Sequence, residues 1–397
     1  MTVNTSHPSG LDLFAQTKLS ALEAKNRRRK LATVSRASHM EMTDSSQKTL
    51  INFSDNDYLG LAFHPDVIEA SRSATQKYGA GAGASRLVTG HYPLCDTLET
   101  KIAKIKGTEA ALVFGSGYLA NTGIISTLMG AGDLILADEL VHNSIRTGIA
   151  LSKADSQYFR HSDVAHVEAI LQDARKRYTN VLIIVDGVYS MDGDIAPLLE
   201  LGELAAQHSA WLMNDDAHAL GTIGGGRGSA HACGAEHLVH LQMGTLSKGV
   251  GSYGGYLAAS EAVIDLMITR ARTFIYTTGL PPGVTAASLK ALEIIETDTE
   301  LVARPVMLAK KFAAAVGLAE PFSPIVPMII GDEREALEAS EKLAKRGFRV
   351  VAIRPPTVAE GTSRLRFNFS AAHRDTDVDG LIEACLDLGL KSELGAA

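Results

Sequence analysis

The stretch GTLSKGVGSYGGYL, residues 244–257, sets one lysine, Lys248, among glycines, small hydroxyls and a short apolar run. A lysine kept for solubility sits among polar residues on a helix face, with its charge in water. Small neighbours instead let a ligand lie close to the backbone, within reach of the Lys248 amine. A second group lies upstream in LMNDDAHALG, where an apolar run ends in Asp215 and Asp216 and His218 follows Asp215 by three residues. A parallel strand ending there delivers such side chains to the carboxyl edge of a sheet, where ligands of open α/β sheets bind. Alone, a strand-end aspartate is as readily a helix cap. Together with Lys248 the set suits pyridoxal phosphate: an amine for the aldehyde, a carboxylate for the pyridine nitrogen and an imidazole for the phenolic oxygen. The phosphate needs backbone N–H groups at a helix N-terminus, and FGSGYLAN (114–121) offers an apolar strand, a glycine turn and a helix beginning near Tyr118. Thr245 and Ser247 add hydroxyl donors.

These residues need a sheet to hold them. Between about 110 and 260 the β-rich runs AALVF, DLILAD, SQYF, NVLIIVD, AWLMND, HLVHLQMG and GYLAAS alternate with helical or polar segments. That alternation predicts an α/β fold with a mostly parallel sheet and helices on both faces. After TTGLPPG the pattern becomes a long helix, then PIVPMIIGD, a helix through EREALEASEKLAKRG, FRVVAIRPPT and SRLRFNFSAAH, which reads as a smaller α+β domain with a short antiparallel sheet. The first fifty residues read as a helix and a loose ribbon. The expected organisation is therefore an N-terminal helix and ribbon at 1–55, a large domain at 56–285 and a small domain at 286–397.

Composition excludes several classes. Of 397 residues 46% are hydrophobic and 21% charged, with a net charge of −7, so no domain-scale basic excess exists to bind nucleic acid. The basic run RRRK (27–30) reads as the solvated face of an amphipathic helix. Cys95, Cys233 and Cys385 stand far apart, with neither zinc-knuckle nor disulfide spacing, which fits a reducing compartment. No window approaches the roughly 18 apolar residues of a membrane span, and no signal-peptide pattern opens the sequence, so a cytoplasmic protein is expected. YGAGAGAS (78–85) formally matches a dinucleotide fingerprint, but the segment before it is polar and helical, where that motif needs a buried strand. Neither G-x-S-x-G nor H-E-x-x-H occurs. His161 and His166 read as surface or loop residues, and no metal is expected.

NFSDNDYLGL, GAGASRLVTGHYPL, LVFGSGYLAN, VHNSI, DGVYSMDGD, NDDAHALG, GTLSKGVGSYGGY, YTTGLPP and RPPTVAEGTSRLRFNFSAAH occur in the order seen in the α-oxoamine synthases, and the chain resembles that family over roughly residues 50–385. These are fold-type I pyridoxal-phosphate enzymes that condense an amino acid with an acyl thioester and release carbon dioxide. The resemblance implies Lys248 as the imine-forming lysine, His142 stacked on the pyridine ring, Asp215 at its nitrogen and His218 at its phenolic oxygen. It also implies Ser190 near the ring, Gly117 and Tyr118 in the phosphate cradle and Thr245 on the phosphate side. Strand alternation puts Arg364, Arg366, Asn368 and Ser370 on one face. Arg366 on that face can grip an amino-acid carboxylate, whereas Arg364 reads as a surface charge. The resemblance adds Arg354 and Thr357 on the substrate side, Arg27 at the far carboxylate of the acyl group, and a homodimer. Through IRPPTV followed by GTSRLRF the chain most resembles those members of the family that act on L-alanine and a pimeloyl thioester, which implies these substrates, the acyl group carried by coenzyme A or an acyl-carrier protein. Glycine or serine as the amino acid, aminotransferase or lyase chemistry, and a catalytically silent subunit stay open. Asn214, where relatives commonly have an apolar residue, either alters the pocket or caps a strand.

Overall fold

VLIIVD is apolar up to its final Asp186 because both faces of its strand are covered, as a parallel sheet between helices requires. The computed structural model describes residues 9–390 apart from 25, 26, 30, 37, 39, 46 and 175. Its strands in chain order are β1 (Val34–Arg36), β2 (Glu41–Asp44), β3 (Thr49–Asn52), β4 (Ala110–Phe114), β5 (Leu134–Asp138), β6 (Asp155–Phe159), β7 (Val181–Asp186), β8 (Trp211–Asp215), β9 (Leu241–Thr245), β10 (Gly255–Ala259), β11 (Ile325–Gly331), β12 (Phe348–Arg349), β13 (Val351–Ile353) and β14 (Ser363–Asn368).

The central sheet has seven strands in the order β4-β10-β9-β8-β7-β5-β6. All its pairings are parallel except those of β10, which runs against both β4 and β9. Alternate residues feed two cores. Leu182 and Ile184 join Ile124, Ile145 and Met267 on one face, while Val181, Ile183 and Val185 join Leu171, Leu201 and Leu204 on the other. Beside the latter, Ala111, Val113 and Ala258 pack on the helices Pro93–Lys106 and Pro282–Thr297. The seven expected β-rich runs all form strands of this sheet, although HLVHLQMG becomes extended only from Leu241.

Beyond Pro282 the single long helix expected is two, Pro282–Thr297 and Thr299–Ala315, divided where Asp298 accepts a hydrogen bond from the Leu301 amide as an N-cap. β11, β14 and β13 form a short antiparallel sheet in that order. Leu365, Phe367 and Phe369 of this region pack on Phe312 and also on Phe53, a residue more than two hundred positions earlier in the chain. The N-terminal ribbon is drawn to the same place: β1, β2 and β3 are antiparallel neighbours, and β3 pairs in parallel with β12.

Two surface readings are corrected. The N-terminal helix ends at Glu23, so Arg27, Arg28 and Arg29 lie in an irregular segment rather than on a helix, and Lys30 is outside the described residues. Arg364 is buried and ion-pairs with Asp192. Its strand lies against the 187–196 loop of the large domain, so the face predicted by alternation is an inner one.

Candidate active site

Five chain segments meet at the carboxyl ends of β7, β8 and β9 and line one cavity of about 210 Å³. The helix Gly117–Leu128 opens toward it, with Ser116 as N-cap accepting a hydrogen bond from the Leu119 amide. Gly117 and Tyr118 therefore stand at the N-terminus, where unpaired amides and the helix dipole favour an anion. Thr245 and Ser247 complete that side, their hydroxyls 2.8 Å apart.

Asp215, the last residue of β8, points into the cavity. Its Oδ1 accepts from the Ala217 amide at 2.9 Å and its Oδ2 from Asn121 Nδ2 at 2.7 Å. Asn121 lies one helical turn beyond Gly117, on the same face. The same amide nitrogen donates to Ser144 Oγ, which lies 2.7 Å from His142 Nδ1. His142 caps the helix Asn143–Leu151, so its ring stands at the cavity wall instead of on a helix face.

Lys248 Nζ lies 2.7 Å from His218 Nε2, and His218 Nδ1 lies 2.7 Å from Tyr58 Oη. Burial, then the nearby Lys248 and Arg366 cations, push the His218 pKa well below 6.5, so the ring is neutral. The amine donates to Nε2, which leaves the proton on Nδ1 to be donated to Tyr58 Oη. Tyr58 in turn donates to Asn56 Oδ1 at 3.2 Å. Burial brings the Lys248 pKa down to about 8, against the opposing charge of Asp215. His142 is also lowered, again chiefly by burial. Asp186, paired in register with Asp215 on the adjacent strand, is pushed well up by burial and by Asp215, and it lines the same cavity.

The aminotransferase class I and II family model matches residues 48–385. An 8-amino-7-oxononanoate synthase of Methylocella silvestris is 60% identical over 341 residues, 86% of this chain and 97% of its own. The chain is an α-oxoamine synthase of the aminotransferase class I and II family. Solved structures similar to this synthase include the serine palmitoyltransferase of Sphingomonas wittichii, with a TM-score of 0.89 and 29% identity over 98% of this chain and 100% of that one. A serine palmitoyltransferase variant from S. paucimobilis with pyridoxal phosphate and myriocin bound gives 0.88 and 29%, covering 96% and 99%.

Not every residue expected at the site of this α-oxoamine synthase lines the cavity. Ser190 contributes its backbone carbonyl, which accepts from Arg366 Nε at 2.5 Å. Arg366 is buried beside the cavity, its other nitrogens 3.3 Å from Asn56 Oδ1 and 3.4 Å from Tyr58 Oη, and so adjoins the Lys248–His218–Tyr58 chain. Arg354 and Thr357 lie outside the cavity lining, Thr357 exposed with Arg29 at 3.5 Å. Arg27 pairs with Glu333 and Glu360 on the small domain. Asn214 points away from the cavity and donates to Asp216 and Ser229; Asp216 also pairs with buried Lys106.

Sequence reasoning missed Asn121, Ser144, Asp186 and Tyr58. All four lie inside runs already singled out, and the helical spacing of Asn121 from Gly117 was a usable signal.

The residues present fit pyridoxal phosphate. An amine of lowered pKa, a carboxylate held by two donors and a helix N-terminus with two hydroxyls converge on one space of suitable size.

Proposed function

We propose that this chain joins L-alanine to a pimeloyl thioester, with loss of carbon dioxide, to give 8-amino-7-oxononanoate for biotin synthesis. It is a pyridoxal-phosphate-dependent acyltransferase of the α-oxoamine synthase family, acting on an amino acid and an acyl thioester. The observation that carries the reading is the convergence of Lys248, His218 and Asp215 on one cavity with Arg366 at its margin. Identity to the Methylocella silvestris enzyme supports the choice of alanine and pimeloyl thioester over the serine of the structural neighbours.

The bound cofactor supplies an electron sink that lets the α-carbon of an amino acid carry negative charge. The chain's own residues do the rest. Asp215, fixed by Asn121 and Ala217, is the partner of the ring nitrogen, and the 117–118 amides with Thr245 and Ser247 hold the phosphate. Arg366 binds the amino-acid carboxylate and turns the α-hydrogen toward Lys248. A lysine with a pKa of about 8 is a suitable base near neutrality, and its Nζ takes that proton. His142 packs on the ring and donates to the acyl oxygen. The acyl carrier is coenzyme A or an acyl-carrier protein, the active form is a homodimer, and three free cysteines support a cytoplasmic setting.

The test is a visible titration of the purified holoenzyme with L-alanine, glycine and L-serine, then with pimeloyl-CoA. A spectral response to alanine, with carbon dioxide released on adding the thioester, is expected. A response to glycine or serine alone would move the substrate to a sister reaction. Lys248→Ala should retain cofactor non-covalently and lose nearly all turnover; wild-type-like turnover in that variant would sink the assignment.

A further inference from the structure

His161 lies in a turn, as expected of a surface or loop histidine, but it is half-buried and both of its ring nitrogens face carboxylates. Nδ1 lies 3.1 Å from each oxygen of Asp138, and Nε2 lies 2.8 Å from Asp194 Oδ2. Neither the histidine nor its two aspartates line the cofactor cavity. We propose that His161 is a positioning residue for the amino-acid carboxylate site, acting through the 187–196 loop on Arg366; this rests on the role given to Arg366 above.

A histidine between two carboxylates donates from both nitrogens and carries a positive charge. Burial opposes that charge, but the hydrogen bonds to Asp138 and then Asp194 outweigh it and lift the pKa to about 10. Asp138 is an immobile post. It ends β5, is fully buried and also accepts from the amides of Leu140 and Ser162. Asp194 belongs to the loop that leaves β7 and doubles back. The Val188–Ile195 bridge closes its base, and hydrogen bonds from Tyr189 N to Asp194 O and from Gly193 N to Tyr189 O close its turn. Tyr189 also meets the imidazole edge-on, with ring centroids 4.4 Å apart.

At the tip of this loop Ser190 O receives Arg366 Nε at 2.5 Å, the shortest contact the guanidinium makes, since those to Asn56 and Tyr58 are 3.3 and 3.4 Å. The aim of Arg366 is therefore set by a carbonyl whose loop is tied to the central sheet through the imidazolium. Removing that cation frees Asp194 from Asp138 and loosens the carbonyl, while Lys248, Asp215 and the phosphate cradle keep their own contacts.

The test compares His161→Gln, Asp194→Asn, their double variant and Arg366→Lys, each as folded holoenzyme. Band shifts on titration with L-alanine and with isopropylamine, which has the amine but no carboxylate, give the two affinities. His161→Gln and Asp194→Asn should each weaken alanine binding roughly tenfold, the scale of one lost charge-assisted hydrogen bond. The double variant should be no worse than either single one. Isopropylamine affinity and cofactor retention should stay within twofold of wild type. Asp194→Asn is close in shape and carries the test alone where His161→Gln does not fold. If Arg366→Lys weakens alanine binding and neither clamp variant does, the proposal is overturned and the role of Arg366 stands. If the clamp variants weaken alanine and isopropylamine equally, the clamp is only structural and the proposal fails. If Arg366→Lys leaves alanine binding unchanged, the role of Arg366 and the proposal fall together.

Discussion

Asn121 uses one side-chain nitrogen to hold both Asp215 and Ser144, so the ring-nitrogen carboxylate and the His142 wall are set by the same group. Asn121→Ala leaves a buried carboxylate oxygen without that donor. A hydrogen bond to a charged group is worth about 1.5–3 kcal/mol, so turnover should fall roughly 10- to 100-fold and cofactor should dissociate faster on dialysis. Lys248 carries a second expectation at this scale. Its amine attacks an aldehyde only when neutral, and with a pKa of about 8 the neutral fraction rises steeply between pH 7 and 9. The rate at which cofactor-free protein takes up pyridoxal phosphate, followed by visible absorbance, should rise through a midpoint near pH 8. A midpoint near 10.4, the value of an exposed lysine, would mean that burial does not act as described. Lys248, Asp215 and His218 were legible because their types and spacing have few other uses. Tyr58 and Asp186 were not, since a tyrosine in a loop and an aspartate ending a strand look ordinary until another element brings their partner. Arg364 was misread for the same reason: alternation gives its face, but only packing against the 187–196 loop tells which side that face turns to.

The elements that carry the site depend on one close approach. Gly255 of β10 sits against the turn that opens the helix Gly117–Leu128, and a Cβ there would lie 2.6 Å from the Gly117 nitrogen and from the Ser116 carbonyl carbon and oxygen. Backbone cannot yield as a side-chain tip does, so Gly255→Ala should displace the helix N-terminus at a cost of about 1–3 kcal/mol. Pyridoxal phosphate should then bind about tenfold more weakly, by equilibrium titration, with the circular dichroism of the fold retained. An unchanged affinity would count against the 117–118 turn as the phosphate cradle. The strands of the central sheet were readable because parallel strands covered on both faces must be apolar runs separated by helix-length connections. The two-helix break at Asp298 was missed although the exposed polar run ETDTE (296–300) interrupts the apolar pattern there and Asp298 is an N-cap residue type.

On the scale of the whole molecule, acid stability follows from histidines that the fold keeps neutral. His373 stacks on Phe53 at 4.0 Å, accepts from the Ser370 amide at Nδ1 and lies 3.1 Å from Asn52 O at Nε2, so it joins the early ribbon to the end of the chain. Burial holds its pKa down to about 4. The unfolded chain binds this proton first as pH falls below 6.5, so stability is full above that value and drains away toward pH 4. At about 1.4 kcal/mol per pKa unit the loss is on the order of 3 kcal/mol. His142 and His218, both lowered, act with the same sign. The urea midpoint should fall between pH 7 and 4.5, and less steeply in His373→Gln; an equal slope in that variant would remove His373 from the account. The pairing of β3 with β12 also has a consequence in time. Ile51 leaves the ribosome roughly 300 residues ahead of Phe348, and at about 5–20 residues per second it waits some 15–60 s for its partner strand. The central sheet can assemble during that interval. The outer edge of β3 and Phe53 must wait, so the nascent chain carries an unpaired strand edge and an uncovered aromatic until β12 and the residues that pack on Phe53 have emerged.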